Sequence, residues 1–263
     1  MIEQIKSSLL ILREKRPLVL CLTNYVTMDF MANCLLALGA APIMSESIDE
    51  LEELTNISHA LYINIGTLNK QFMERAVFAA KIANSLQKPV IIDPVGSGAS
   101  KLRTSAVHQL LPFTHIIRGN ASEIISLSGT NSSTKGVESM DSVENAIASG
   151  MVLAKDLAKT IVISGPKDFI TDGSQSHTLP FGSNLMPLIT GMGCTMTAVI
   201  SAFVSCNTNL FQATTYATAY FGLCGQLAHQ KSEAPGFFRQ EFINNLFSPD
   251  WNYFSEIFTQ MSS

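Results

Sequence analysis

Short runs of apolar residues, each followed by a segment with helical spacing, constrain the fold of this chain more than any other feature. Continuously apolar runs of this length are typical of strands that are buried on both faces of a sheet. Such runs occupy residues 18–22, 41–44, 60–65, 90–92, 115–117 and 160–164. Strands that alternate with helices predict an α/β fold with three layers, in which helices cover both faces of a central, mainly parallel sheet.

The segments between these runs predict the other elements. Apolar positions recur at helical spacing in residues 1–14, 27–38, 48–56, 70–86, 103–111 and 142–158. A hairpin is predicted over residues 169–179, with its turn at Asp172-Gly173. Residues 128–140 are rich in Ser, Thr and Gly, and they predict a mobile surface loop. Because the chain shows no linker and no internal repeat, we expect residues 1–263 to form a single domain.

The stretch from Gly173 to Gln230 contains no Asp, Glu, Lys or Arg. So long a stretch without charge is expected inside the protein or inside an assembly. A membrane span is the competing interpretation, but glycine, proline and asparagine residues cut the stretch into pieces, most of them shorter than the ~20 apolar residues that a span needs. The piece over residues 210–228 is long enough but carries glutamines, threonines and tyrosines. We therefore expect a buried or interface helix there and no membrane association.

Charge and cysteine content exclude further classes of function. The net charge is −4, from 17 basic and 21 acidic residues without a basic cluster, so nucleic acid is not expected as a partner. Five cysteines are an odd number, and no pair of them has the spacing of metal ligands. This pattern favours a reducing compartment, and the charged N-terminus does not resemble a secretory signal. The expected location is the cytoplasm.

Polar motifs follow four of the predicted strands, and a glycine loop precedes a predicted helix. Ligands of open parallel sheets bind outside the carboxyl ends of the strands, so these motifs are expected to meet around one site. They are Thr23-Asn24, Asp93-Pro94-Val95-Gly96, Arg118-Gly119-Asn120 with Glu123, Ser164-Gly165, and Gly191-Met192-Gly193-Cys194.

The glycine loop is the strongest of these signals. Gly191 and Gly193 allow close approach of the backbone to a ligand, and the first amides of the following helix can hold a phosphate. Cys194 is placed where its side chain reaches whatever those amides hold. The alternative is that the loop only connects two elements.

Two carboxylates and one arginine suggest nucleotide chemistry. Asp93 and Glu123 follow different strands and can hold Mg²⁺ beside a polyphosphate, although each can instead cap a helix. Arg118 can hold phosphate oxygens in its guanidinium fork, or it can form a surface ion pair.

Three further residues have competing interpretations. Asn24 can bind a substrate hydroxyl or ring nitrogen, or form an Asx turn. Met44 is soft enough to line an aromatic pocket, or it belongs to the core. Ser164 can donate its hydroxyl to a phosphate or adenosine, or cap the end of its strand.

The motifs together resemble those of the hydroxyethylthiazole kinase family. They agree in order and spacing over roughly residues 17–230. The matching segments are Leu22–Met28 with Asn33, Leu38–Met44, Asp93–Ala99, Ile117–Ile124 and Gly191–Cys194.

The resemblance implies a ribokinase-like fold and an activity. The family phosphorylates the primary alcohol of 4-methyl-5-(2-hydroxyethyl)thiazole with ATP and Mg²⁺ in thiamine salvage. It also implies a homotrimer with its sites at subunit boundaries.

Site roles carry over by position. The resemblance assigns Met44, Gly191 and Asn24 to the thiazole. It assigns Arg118, Ser164 and Gly193 to ATP, and Asp93 and Glu123 to Mg²⁺. Cys194 stands where most ribokinase-like enzymes have an aspartate base, and we expect the helix N-terminus to lower the pKa of its thiol.

Three positions depart from the family pattern, namely Met192 for a usual Thr, Asp29 for a common Asn, and Ser97 for a frequent Val. We expect an altered pocket shape there, with Met192 contributing mainly its backbone amide.

Three alternative functions stay open. The first is a hydroxymethylpyrimidine kinase or another small-alcohol kinase, and the second is a nicotinamide-nucleotide-hydrate dehydratase (a lyase). Both share the fold but usually have Asp at position 194. The third is a non-catalytic nucleotide sensor.

Overall fold

The computed structural model describes residues 1–128 and 141–262, and it places eight strands in one sheet. The strands are β1 (Leu18–Leu22), β2 (Ala41–Ile43), β3 (Ala60–Asn64), β4 (Val90–Asp93), β5 (Ile116–Asn120), β6 (Thr160–Ser164), β7 (Asp168–Thr171) and β8 (Ser176–Leu179). Their order across the sheet is β2-β1-β3-β4-β5-β6-β7-β8. Strands β1 to β6 pair in parallel, and β7 and β8 pair antiparallel. The prediction of a mainly parallel sheet is confirmed.

Helices cover both faces of the sheet and form two separate hydrophobic clusters. One cluster includes residues of α1 (Ile2–Lys15), α2 (Met28–Leu38), α8 (Met192–Val204), α9 (Leu210–Lys231), α10 (Pro235–Phe247) and α11 (Trp251–Ser262). The other includes residues of α3 (Leu51–Ile57), α4 (Lys70–Ser85), α5 (Lys101–Leu110), α6 (Ala121–Leu127) and α7 (Asp141–Leu157). The result is the expected α/β/α arrangement of three layers. Among the described residues, no helix is long and apolar enough to cross a membrane.

The stretch without charged residues is buried over its two helices. Most residues of α8 and α9 are inaccessible to solvent and belong to the hydrophobic cluster on one face of the sheet. The expectation of burial is confirmed for these helices, whereas residues 174–178 and Leu188, which precede them, are exposed in the single chain.

Several elements differ from the sequence-based expectations. Strand β2 ends at Ile43, so Met44 lies just beyond it. Helices α6, α10 and α11 were not predicted. The signal for α6 is present in the sequence as a capping box, because Asn120 and Glu123 have the required spacing. From residue 129 onward, the loop predicted over residues 128–140 lies outside the described residues.

The order of the strands fixes where a ligand can bind. Strand β1 pairs with β2 on one side and β3 on the other, so the chain changes its direction of winding between β1 and β3. Crevices form at the carboxyl ends of strands at such a switch point. Helix α8 packs across β1, β3 and β4, which brings its N-terminus to this edge of the sheet.

Candidate active site

The N-terminus of α8 is formed by a glycine that no other residue can replace without strain. Gly191 is the N-cap residue and has a φ of 90°, in the left-handed region. A Cβ atom at this position would lie 2.8 Å from Cβ of Thr27. The first intrahelical bond runs from the Thr195 N–H to the Gly191 carbonyl. The amides that precede Thr195 in the first turn therefore have no acceptor within the helix.

Met192 does not contribute its amide in the way the sequence suggested. Its N–H donates to the Ile189 carbonyl at 3.2 Å, and its side chain is buried in the core. This corrects the expectation that its amide serves the anion loop. The amides of Gly193 and Cys194 are therefore the ones in the first turn that have no backbone acceptor among the described residues.

Arg118 lies directly against the start of α8. A Cβ atom at Gly193 would be 2.6 Å from Nη1 of Arg118, so only glycine leaves room for the guanidinium. Nη2 donates to the Ser164 hydroxyl, and Nη1 is 3.7 Å from Oδ2 of Asp93. Nε of Arg118 is buried and has no hydrogen-bond partner among the described residues. A surface ion pair does not describe Arg118, because both members of its pair with Asp93 are buried.

Asp93 is buried at the end of β4 and accepts a hydrogen bond from the Thr197 hydroxyl at 2.9 Å. Burial raises the pKa of its carboxyl to about 6, the positive charge of Arg118 opposes this rise, and the negative charge of Glu123 adds to it. The hydroxyl of Thr197 therefore fixes one carboxylate oxygen to α8. The alternative that Asp93 caps a helix does not describe these contacts.

Glu123 does cap a helix. Its two carboxylate oxygens accept from the N–H groups of Asn120 and Gly96, each at 2.8 Å, while the Asn120 side chain accepts from the Glu123 N–H at 2.9 Å. The capping interpretation is correct for this residue. Because each carboxylate oxygen carries a second lone pair, capping leaves acceptor capacity on the side of Asp93.

A second buried aspartate faces Arg118, and the sequence analysis did not single it out. Asp168, the first residue of β7, accepts from the Gly165 N–H at 3.1 Å. Burial raises its pKa to about 6, and the Gly165 hydrogen bond and the charge of Arg118 oppose the rise. Arg118 therefore acts electrostatically on two carboxyl groups that burial makes harder to ionise.

Hydrogen bonds from the loop after β1 and from β3 fix Cys194 at the helix mouth. Nδ2 of Asn24 donates to its Sγ at 3.5 Å, and the Tyr62 hydroxyl donates to its carbonyl at 3.0 Å. Asn64 connects these donors, because its Oδ1 accepts from Asn24 and its Nδ2 donates to the Tyr62 hydroxyl, both at 2.9 Å. Oδ1 of Asn24 also accepts from the Thr27 N–H, so the Asx turn is present together with the contact to Cys194.

Tyr62, Asn64 and Thr197 are the residues that sequence reasoning missed. Alternate residues of a strand face the same side of a sheet, so Tyr62 and Asn64 both face α8. The available signal is a polar residue, Asn64, inside an apolar run. The run over residues 60–65 predicts one continuous strand and does not set Asn64 apart. Thr197 lies one turn after Gly193, on the face that meets Asp93.

The expectation of a lowered thiol pKa for Cys194 is wrong. Burial and the negative charge of Asp93 raise the pKa of this thiol above its ordinary value, and hydrogen bonds with Asn64 and Thr27 and the charge of Arg118 oppose the rise only in part. The loss of contact with water is the largest cause of the rise.

Three remaining positions lie near this edge. Met44 is half-buried and packs against the same hydrophobic cluster as α8. Ser97 accepts a hydrogen bond from the Ser126 hydroxyl at 2.9 Å, which ties the loop after β4 to α6. Asp29 forms an exposed ion pair with Arg239 of α10 at 3.1 Å. Through their contacts with Ser126 and Arg239, Ser97 and Asp29 fix elements around the site.

Comparisons with known proteins agree with this arrangement. The model of the hydroxyethylthiazole kinase family matches residues 9–250. A hydroxyethylthiazole kinase of Chlamydia felis is 46% identical over 254 residues, which are 96% of this chain and 97% of that protein. The solved structure of a hydroxyethylthiazole kinase protein from Pyrococcus horikoshii has a TM-score of 0.89 at 35% identity and covers 96% of each chain.

A more distant structure supports the fold alone. A ribokinase-like superfamily protein from Enterococcus faecalis has a TM-score of 0.62 at 14% identity, covering 89% of this chain and 88% of that one. The expected ribokinase-like fold is confirmed.

The raised pKa of Asp168 predicts a pH dependence of stability. Between pH 6 and the unfolded value near 4, the folded state holds a proton that the unfolded state has lost, so this group stabilises the fold increasingly as the pH falls. Measured by urea unfolding, the free energy of unfolding of the wild type minus that of Asp168→Asn should rise by about 2 kcal/mol from pH 7.5 to pH 4.5. A difference that stays constant with pH would contradict the raised pKa.

Proposed function

Because this chain belongs to the hydroxyethylthiazole kinase family, we propose that it transfers the γ-phosphoryl group of ATP to the hydroxyl of 4-methyl-5-(2-hydroxyethyl)thiazole, in thiamine salvage. One observation supports this most. The guanidinium of Arg118 lies against Gly193 at the mouth of α8, with Asp93 beside it and Cys194 one residue further along the helix. A cation, free helix amides and a carboxylate at one edge are the groups that phosphoryl transfer uses.

The phosphate side of the site is assigned to Arg118, Ser164 and Gly193. The side chain of Arg118 is already oriented by the Ser164 hydroxyl, so little conformational freedom is lost when it binds phosphate oxygens. Its buried Nε without a partner gives it a further donor to satisfy. The amides of Gly193 and Cys194 add the positive end of the α8 dipole, where negative charge on the transferred group is stabilised.

Asp93 and Glu123 would hold Mg²⁺. Carboxylate oxygens are the donors that Mg²⁺ prefers, with substrate phosphates and waters completing its shell. The charge of Glu123 helps to raise the pKa of Asp93, which fits two carboxylates near enough to share a cation. The described residues contain no group of three or more metal-binding side chains, which fits an ion that binds together with ATP. When bound, Mg²⁺ neutralises charge on the β- and γ-phosphates.

Asn24, Met44 and Gly191 are assigned to the thiazole, and Cys194 to the proton of its alcohol. The alcohol oxygen attacks the γ-phosphorus in line, its O–H bond breaks late, and the bond to the leaving ADP oxygen breaks early. Cys194 then has little to do before the phosphoryl group is transferred. Cys194 accepts this proton only as a thiolate, and burial and the charge of Asp93 raise its pKa, which makes the thiolate the minor form. A small thiolate fraction is compatible with a transition state that requires little of a base.

We also propose a homotrimer whose sites lie at subunit boundaries. Tyr25 and Val26 are 57% and 69% exposed beside the Thr27–Gly191 contact, and Leu188 is 63% exposed three residues before Gly191. An apolar rim of this kind fits a cover supplied by a neighbouring subunit.

The chain is further proposed to be one domain, because one sheet includes all described strands. It is proposed to act in the cytoplasm, because all five cysteines are free.

A panel of substrates tests the proposed function. ATP consumption should require the thiazole alcohol and Mg²⁺, and it should be abolished by excess EDTA. Turnover of the pyrimidine alcohol alone would identify a hydroxymethylpyrimidine kinase, and turnover of hydrated nicotinamide nucleotide would identify the dehydratase. ATP binding without consumption in any arm would leave the non-catalytic sensor.

Substitutions of Cys194 test its role. Cys194→Ala should lower kcat by about 10²-fold and leave measurable turnover, because a loose transition state requires little of a base. Cys194→Asp should remain active, since aspartate is the commoner base at this position. Cys206→Ala, near the C-terminal end of α8, is the matched control and should keep the wild-type kcat. A fully inactive but folded Cys194→Asp would show that the base has been assigned wrongly.

The contact between Gly193 and Arg118 predicts a selective effect on ATP. Gly193→Ala places a Cβ atom 2.6 Å from Nη1 and must displace the guanidinium, so it should raise KM for ATP about 10-fold or more, as should Arg118→Ala. Gly236→Ala is the control, because a Cβ atom there meets nothing within 4 Å. Steady-state kinetics with both substrates check this. An increase confined to KM for the thiazole would contradict the assignment.

A further inference from the structure

One arginine outside the residues assigned so far connects two loops at the ligand edge of the sheet. Arg103 lies in the first turn of α5. Its Nη1 donates to the carbonyls of Ile65 and Val95 at 3.0 and 2.6 Å, and its Nη2 donates to the Gly66 carbonyl at 2.9 Å. The carbonyls of Ile65 and Gly66 belong to the loop after β3, and the carbonyl of Val95 belongs to the loop after β4.

The local structure holds Arg103 in this position. The Ser100 hydroxyl caps α5 by accepting from the Arg103 N–H, which fixes the start of the helix. Gly96 has a φ of +75°, and a Cβ atom there would lie 2.9 Å from Cδ of Arg103. The loop after β4 therefore rests directly on the arginine side chain, and this contact requires glycine.

The loop after β3 leads to Cys194. The Gly66 N–H donates to Oδ1 of Asn64, the residue that connects Asn24 to Tyr62. A Cβ atom at Gly66 would lie 3.0 Å from Cβ of Asn24, so the loop after β3 is in close contact with the loop after β1. A shift of Gly66 would move Asn24, which donates to the thiol of Cys194.

The loop after β4 leads to the two carboxylates. It follows Asp93 directly, and the Gly96 N–H donates to Oε1 of Glu123. One guanidinium therefore connects the side of the site assigned to the thiazole and its proton with the side assigned to Mg²⁺.

We propose that Arg103 is a positioning residue, which fixes the distance between the loops after β3 and β4 and thereby aligns the acceptor alcohol with the transferred phosphoryl group. This inference rests on the proposed function. Arg103 acts through the backbone, because both hydrogens of its Nη1 are used by carbonyls of the two loops. A planar guanidinium can reach three carbonyls at fixed angles, which the single ammonium of a lysine cannot reproduce.

The chain contains a matched control. Arg13, near the end of α1, also donates to three carbonyls, those of Leu38, Leu246 and Phe247. These carbonyls lie at the C-terminal ends of α2 and α10, where α2 leads back to the start of β2. Arg13 therefore also holds backbone carbonyls together, but away from the ligand edge of the sheet. Its loss should lower the stability of the fold without changing the alignment of the two substrates.

The test compares Arg103→Ala, Arg103→Lys and Arg13→Ala in the full chain. We expect Arg103→Ala to lower kcat about 10- to 100-fold, because misplacement of reacting groups by about 1 Å has effects of this size. Arg103→Lys should recover only part of kcat. Arg13→Ala should keep kcat within about twofold of the wild type, even where its Tm falls. Millimolar guanidinium should partly restore Arg103→Ala, whereas the same concentration of urea should not.

Hydrogen exchange separates this proposal from the proposed function. Amides of residues 64–69 and 95–99 should exchange at least 10-fold faster in Arg103→Ala than in Arg13→Ala. A wild type without turnover of the thiazole alcohol would overturn the proposed function, and the exchange result would still decide whether Arg103 holds the loops. A folded Arg103→Ala with wild-type kcat, or unchanged exchange in both loops, would overturn the positioning role. If Arg103→Ala does not fold, Arg103→Lys decides by the same two criteria.

Discussion

The attachment of the first turn of α8 to the carboxyl ends of three strands is the constraint on which the site depends. Gly191 fits against Thr27 after β1, the Tyr62 hydroxyl of β3 bonds the Cys194 carbonyl, and the Thr197 hydroxyl bonds Asp93 of β4. Tyr62 and Asp93 belong to different strands and Thr27 caps α2, so the helix cannot slide or rotate without breaking at least one of these contacts. The free amides of the helix therefore have a fixed direction, which stabilisation of developing charge requires.

Electrostatics at this edge favour ligand binding over stability of the free chain. Asp93 and Asp168 are both buried near Arg118, and burial raises the pKa of each. One guanidinium compensates these groups only in part, and its own Nε is buried without a partner among the described residues. A phosphate ligand would supply the missing acceptor, and a cation would offset the carboxylate charges. Unsatisfied groups of this kind are concentrated where a protein binds its substrates.

Much of the architecture could be predicted from the sequence because its signals are local. Strands β1, β3 and β4 were predicted within one or two residues, since each is a continuous apolar run, and the β7–β8 hairpin followed from Asp172-Gly173. Helix α6 was missed because it has only seven residues and no hydrophobic period to detect, although Asn120 and Glu123 carry its capping box. Asn64 was missed because it lies inside an apolar run, between Ile63 and Ile65, and a single polar residue there does not mark a strand end.

The sequence by itself determined which residue types stand at the strand ends and which segments are buried, because the spacing of apolar residues and glycines is a property of the chain alone. It also placed Cys194 at a helix start. Only the tertiary structure decided that Glu123 accepts from the Gly96 N–H, that Arg118 pairs with Asp93, and that the thiol pKa of Cys194 is raised. These outcomes depend on burial and on partners distant in sequence. A local pattern cannot specify either, because desolvation and charge act through space and not along the chain.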